Sequence, residues 1–388
     1  MSAARASAAA KPAARLIRAV HRPIRAAQVL TGATNAPIRA ADTPDSVVRT
    51  VLGDIPAALL GRTLIHEHLI CSLARYWIPE LAPELATRRV NLATLHDTKA
   101  HAFSVRDNLV LDDIENAIRE MGELSAAGGA SLVEVTSHGI GRDVRALEII
   151  ARRGDVNVIA GCGYYIGLTH PVGLIERSEA SIADEMLREI TDGIGGTGIR
   201  AGVIGEIGVG TYPMIPAERR VLRAAARVQR QTGAGMILHS APGASESVFE
   251  IIGVLERAGA LMEKVVVSHL EERFRDDVRL FKRVGASGIR FGFDTFGREI
   301  YYEGRRKQHP SDTQRIEMVC RLLDLDLGDR IALAQDICLK HELSAFGGQG
   351  YAHVLTNIVP RMLHAGVPQA AIDQMLVGTP AQILALPA

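Results

Sequence analysis

Much that would point to a macromolecular partner is missing from this chain. Its 388 residues include only four cysteines, Cys71, Cys162, Cys320 and Cys338, scattered with no Cys-x-x-Cys pair. That distribution argues against a disulfide framework and for a reducing compartment, and a cytoplasmic location is expected from it. Neither sign of charge is in excess, with 44 Lys and Arg against 44 Asp and Glu, so nothing drives the whole chain toward nucleic acid or a membrane surface. No apolar run approaches the ~18–20 residues needed to span a bilayer. No strand-like segment is followed by a Gly-x-Gly-x-x-Gly phosphate turn. Gly205-x-x-Gly208-x-Gly210 comes nearest, but Glu206 sits inside it and Tyr212-Pro213 follows where a helix would have to begin. It reads as a strand end.

Acidic residues are also missing from the first 41 positions, which hold Arg5, Lys11, Arg15, Arg18, Arg22, Arg25 and Arg39 amid much alanine. An Arg-rich, acid-poor segment fits an organelle-targeting peptide. It equally fits a disordered basic tail or a start site placed too far upstream, and composition alone does not identify an address. The expectation is a disordered tail over 1–45 and one folded domain over 46–388, opened by a capping strand at Val47–Gly53. Binding of nucleic acid by the tail is expected to be slight.

What is present is an alternation. Short β-branched runs occur at 131–136, 156–161, 202–207, 235–239, 264–269, 288–294 and 330–336, and Thr63–Leu69 makes the eighth. Between them lie stretches with apolar residues at three- and four-residue spacing, among them 112–127, 142–153, 182–193, 217–233 and 244–258. Eight mostly apolar strands alternating with helices predict an α/β fold, a (β/α)8 TIM barrel, with a doubly wound sheet as the runner-up.

The polar residues at the ends of these runs carry the chemistry. In Thr63-Leu64-Ile65-His66-Glu67-His68-Leu69, the two histidines stand two residues apart and so share one face of a strand. Alone, His-x-His is more often a packed or surface pair. Glu206 lies on the fourth run, His239 ends the fifth, His269 the sixth and Asp336 the eighth. In a barrel these ends converge on one mouth. Taken singly, each has a plain explanation: a structural histidine, a glutamate paired with an arginine, an aspartate capping a helix. Together they would bury polar groups at a cost of several kcal/mol unless something bound them. Four imidazoles and two carboxylates suit zinc, manganese, cobalt or iron and exceed what one tetrahedral ion needs, which favours two divalent ions.

The pattern His66-x-His68, Glu206, His239, His269, Asp336 resembles the phosphotriesterase family of the amidohydrolase superfamily, over essentially the whole chain from about residue 47. Supporting stretches are Thr136-x-x-Gly139-x-Gly141-Arg142-Asp143, the run 203–208, Phe293-Asp294-Thr295-Phe296-Gly297, and Gly347–Asn357, the last similar to the phosphotriesterase-related branch. The resemblance implies one ion on His66, His68 and Asp336, a second on His239 and His269, and a bridge by Glu206. It also implies a homodimer. True phosphotriesterases bridge their ions with a carboxylated lysine, and the matching position here is Glu206, as in the homology and related-protein branches. That departure weakens any expectation of organophosphate activity.

Two ions sharing a hydroxide would give a nucleophile near neutral pH, with Asp336 as proton acceptor. Tyr165, in Gly161-Cys162-Gly163-Tyr164-Tyr165, stands where the family's lactonases place a tyrosine over the metals, although a packed rim tyrosine is as reasonable. Arg142, His170, Arg298, His341 and His353 fall in loops that could frame a small-molecule substrate, and Trp77, Tyr301 and Tyr302 could line a pocket. The expected activity is hydrolysis of a lactone or carboxylic ester. Amide hydrolysis of an N-acyl amino acid or amino-sulfonate follows closely, and phosphotriester hydrolysis comes third. A metal-binding barrel without turnover would be favoured by a missing ligand or proton acceptor, and neither is missing.

Overall fold

The alternating runs form eight parallel strands: β1 Thr63–Glu67, β2 Ser131–Glu134, β3 Asn157–Cys162, β4 Val203–Gly208, β5 Gly235–His239, β6 Val265–Val267, β7 Arg290–Phe293 and β8 Ile331–Leu333. Neighbours in sequence are neighbours in the sheet, each pair parallel. The computed structural model describes residues 46–275, 277–302 and 307–387. The tail expected over 1–45 lies outside them.

The ring closes by unusual means. Asp336 N–H donates to the His66 carbonyl (3.3 Å), and the Glu67 carboxylate accepts from Gln335 N–H (2.7 Å) and Ile337 N–H (2.9 Å). A side chain of β1 thus supplies acceptors to the backbone that follows β8. Strand alternation explains it, because Glu67 lies between His66 and His68 and points to the other face. The (β/α)8 barrel expected from the sequence is the observed fold.

Helices cover the outside, and each of these is amphipathic: Ile114–Ala126, Val144–Gly154, Glu179–Thr191, Pro216–Thr232, Glu246–Arg257 and Asp312–Leu323. Their starts are chemically marked. Asp113, Asp143 and Ser178 accept the first free backbone N–H groups, Ser311 and Gln314 form a capping box, and Pro216 occupies a first-turn position. Between β6 and β7 the helical connection is broken into Leu270–Arg273 and Arg279–Gly285. With helices outside and side chains inside, β1 to β6 are almost wholly buried, as their apolar composition requires.

The expected capping strand is the first arm of an antiparallel hairpin, Val47–Thr50 with Gly53–Pro56. Val51 N–H bonds to Val158 O (2.9 Å) near the start of β3, and Val47 exchanges backbone bonds with Leu386. The hairpin and the chain's last described turn therefore seal the N-terminal end of the barrel, opposite the strand ends that carry the histidines. Among the described residues no helix is long and apolar enough to cross a membrane.

Two strands shift register where a polar residue must leave the ladder. The β1–β2 pairing shifts between Leu64 and Glu67, around His66, and the β4–β5 pairing shifts between Ile204 and Ile207, around Glu206. Such irregularities re-aim a side chain at the expense of local pairing. Gly205 makes the second possible: its φ is +148°, and a Cβ there would lie 2.5 Å from Ile237 O. Gly205→Ala is therefore expected to lower stability by about 2 kcal/mol or more. Gly195→Ala, at φ +56° with nothing within 4 Å, should cost only ~1 kcal/mol. Urea midpoints of the two variants check this ordering, and equal losses would contradict the backbone clash.

Candidate metal centre and active site

All six side chains expected to bind metal meet at the C-terminal mouth of the barrel. His66 Nε2 lies 3.6 Å from Glu206 Oε1 and 3.5 Å from Asp336 Oδ1, and His68 Nε2 lies 3.3 Å from Asp336 Oδ1. His239 Nδ1 is 3.2 Å from Glu206 Oε1 and 3.1 Å from His269 Nε2. Among the described residues Glu206 has no arginine partner; three imidazoles surround one of its oxygens.

Outer partners fix the tautomers. Asp294 accepts from His66 Nδ1 (3.1 Å) through one oxygen and from His269 Nδ1 (2.8 Å) through the other. The Thr136 hydroxyl donates to Glu134 Oε1 (2.5 Å), so its oxygen is free to accept from His68 Nδ1 (2.9 Å). A carboxylate accepts only, so each of these rings carries a proton on Nδ1 and turns Nε2 inward, the atom left to meet a cation. Two of the donors sit on strained backbone: His269 has φ +61° and Asp336 φ +52°.

This arrangement fits divalent ions. His66 Nε2 is fully buried and has no hydrogen-bond partner. The donor atoms of His66, His68 and Asp336 lie within 4.8 Å of one another, as do those of His66, Glu206 and His269, with His239 beside the second set. The field agrees. Burial opposes a charge on His66, yet Glu206, Asp294 and Asp336 outweigh it and raise its pKa to about 9. Burial likewise opposes charge on Glu206 and Asp336. The surrounding histidines nevertheless hold Glu206 well below the ordinary carboxylate range, and Arg298 with His68, His66 and His269 does the same for Asp336. A site that stabilises protonated imidazole beside two carboxylates favours a cation there.

Above the cluster opens a cavity of about 660 Å³. Tyr165 lines it, with its hydroxyl 3.3 Å from His239 Nδ1. Burial, aided by Tyr76, Glu206 and Asp336, pushes this phenol well above its usual pKa, which keeps it neutral. Arg298 also lines the cavity. Its Nη1 donates to Asp336 Oδ2 (2.7 Å), and its Nε and Nη2 grip Glu342 (2.7 and 3.0 Å). Asp336 thus shows Oδ1 to the histidines and Oδ2 to the guanidinium.

The other loop residues are structural. Arg142 pairs bidentately with Glu189, His170 bonds the Tyr165 carbonyl, His341 faces Asn108, and His353 pairs with Asp312. Trp77 donates to Ser104 O and packs against the core, and Tyr301 is about half exposed. The Tyr302 side chain lies outside the described residues. The Gly347–Asn357 stretch buttresses the site from behind: Tyr351 O–H donates to His68 O (2.6 Å), and Gln335 Nε2 bonds Gly350 O (2.9 Å). Sequence reading passed over Asp294 as a site residue, although a carboxylate closing an apolar run is the same signal that marked Asp336. It also passed over Glu67, Glu134 and Thr136, whose links to residues 335–337 and to His68 and Leu69 span 65 residues or more.

A family model described as Phosphotriesterase family matches residues 46–384. N-acetyltaurine hydrolase from Bos taurus is 38% identical over 343 residues, covering 87% of this chain and 97% of that protein. A resiniferatoxin-binding protein from Rhodobacter sphaeroides has a crystal structure similar to this one, with TM-score 0.84 and 33% identity over 87% of this chain and 94% of that one. A mutant of a phosphotriesterase-like lactonase from Deinococcus radiodurans gives TM-score 0.70 at 26% identity, over 87% and 99% of the two chains. Together with the donor set, these matches define a metal-dependent hydrolase built on a (β/α)8 barrel. The chain belongs to the phosphotriesterase family.

Asp294→Ala removes the acceptor shared by two histidine rings and is expected to weaken divalent-metal affinity 10–100-fold. Chelator competition followed by metal analysis measures this. Wild-type affinity in the variant would mean that Asp294 does not set the rings.

Proposed function

We propose that the protein hydrolyses the amide bond of a small N-acyl amine, of the N-acyl amino acid or amino-sulfonate class. The observation that carries this reading is the 38% identity with an N-acetyltaurine hydrolase, which extends over 97% of that protein. The glutamate at position 206 in place of a carboxylated lysine supports it as well. His66, His68 and Asp336 would hold one divalent ion and His239 and His269 a second, with Glu206 between. Such ions supply Lewis acidity and lower the pKa of a water.

The chain's own groups divide the remaining work. Asp336 Oδ1 faces the histidines from one side of the cavity floor, placed to take a proton from the attacking water and return it to the departing nitrogen. Arg298 holds the other carboxylate oxygen, so Asp336 cannot rotate away from the site. Tyr165 O–H stands beside His239 and donates to an oxygen of the bound substrate. Water adds to the acyl carbon, the C–N bond breaks, and the products are a carboxylate and an amine.

Hydrolysis of a lactone or ester, the first expectation from the sequence, is the second reading. The position of Tyr165 favours it, because the family's lactonases place a tyrosine over the metals, and its hydroxyl lies 3.3 Å from His239 Nδ1. A panel of N-acetyltaurine, N-acetyl amino acids, lactones, aryl esters and one phosphotriester, with a chelator control, separates the two. Chelator-sensitive amide hydrolysis is expected, with kcat/KM at least tenfold above any lactone; the reverse ranking would move the assignment to the lactone. Asp336→Asn should retain much of the bound metal and lose about 100-fold or more in kcat. Full activity in that variant would end the proton-transfer role.

A further inference from the structure

The cavity has two unlike walls. Leu73, Phe103 and Ile140 form an apolar side, while Glu272, Arg273 and His309 form a polar one. None of these three polar residues belongs to the metal centre. Arg273 ends the short helix Leu270–Arg273, one turn beyond His269, and its backbone N–H bonds to the His269 carbonyl (3.1 Å). Its guanidinium is moored on the residue after His239: Nε donates to Ser240 Oγ (3.1 Å) and Nη2 to Ser240 O (3.0 Å). Both tethers set the cation beside the His239–His269 side of the cluster.

This cation differs from the other one in the cavity. Arg298 is compensated by two carboxylates, Asp336 and Glu342. Arg273, with a side chain only 4% exposed, has Glu272 as its carboxylate (2.9 Å), and Glu272 is shared with His309 (2.7 Å). The moorings use three of the five N–H groups of a guanidinium and fix its plane. One N–H on Nη1 and one on Nη2 remain, the pair with which arginine grips carboxylate-like oxygens, and Arg273 lines the cavity.

We propose that Arg273, held by Ser240 and Glu272 and flanked by His309, is an anion-recognition subsite that selects substrates whose amine half ends in a carboxylate or sulfonate. The proposal rests on the amide-hydrolase reading and adds the residue that recognises the acid group of the leaving amine. The acyl group lies against the apolar wall, the amide over the metal ligands, and the anion on Arg273. A substrate without the anion leaves the fork unpaired, which penalises it more than a missing methylene would.

The test compares N-acetyltaurine with N-acetylethanolamine, in which a hydroxyl replaces the sulfonate, in metal-loaded wild type, Arg273→Gln and Arg273→Lys. Wild type should favour the anionic substrate at least tenfold in kcat/KM. Arg273→Gln should erase that preference, chiefly through KM, and Arg273→Lys should restore part of it. Calorimetry with sodium propane-1-sulfonate gives a readout independent of turnover: wild type binds it, and Arg273→Gln binds it at least tenfold more weakly, with circular dichroism confirming the fold. Equal losses for both substrates, or sulfonate binding unchanged in Arg273→Gln, would overturn the subsite. If wild type binds the sulfonate through Arg273 yet cleaves neither amide, the amide reading fails and the subsite stands.

Discussion

One carboxylate disciplines the centre of this molecule. Asp294, wholly buried at the end of β7, receives the ring N–H of His66 from β1 and both the ring and backbone N–H of His269 after β6. Three strands are thereby referenced to one side chain, and two imidazoles are left with only one way to present a lone pair. Burying an unpaired carboxylate is costly, so Asp294 is stable only while both rings point where they do. Orientation of the donors and satisfaction of the core are one requirement. The left-handed backbone at His269 is tolerated on the same terms, because its N–H and its ring both end on Asp294.

A second layer repeats the logic around Asp336. Arg298 bridges from the loop after β7 to Asp336 and Glu342, and Glu342 gathers the N–H groups of Cys338 and Leu339. The catalytic mouth is thus lined by residues whose charges are already balanced pairwise. In such a setting the less fully compensated cation, Arg273, stands out as a feature shaped for something that arrives from outside.

Much of this was legible in the sequence because it is written in short-range pattern. Period-two alternation put His66 and His68 on one face, and apolar runs ending in polar residues marked the strand ends that converge. What was hidden depends on pairs far apart in the chain. Glu67 reads as a polar interruption between histidines, and its role appears only when residues 335–337 lie beside it. Asp294 sat inside a recognised motif, but its two imidazole partners come from other strands. The register shifts at His66 and Glu206 have no local signature beyond Gly205, because they answer to the neighbouring strand. Arg142 and His353, prominent in the sequence, proved to be committed to Glu189 and Asp312 on the barrel's outer layer.

The seam at Glu67 also has a consequence for how the protein comes into being. Its bonds join positions 268 and 270 residues apart, among the longest-range contacts in the chain. Contacts of that separation carry the largest loop-closure entropy and are favoured to form late. His66 and His68 leave the ribosome early, Asp336 nearly last, and the donor set they share exists only once the ring has shut. Competence to hold metal is therefore a property of the finished circle, and its appearance during refolding would time the final act of closure.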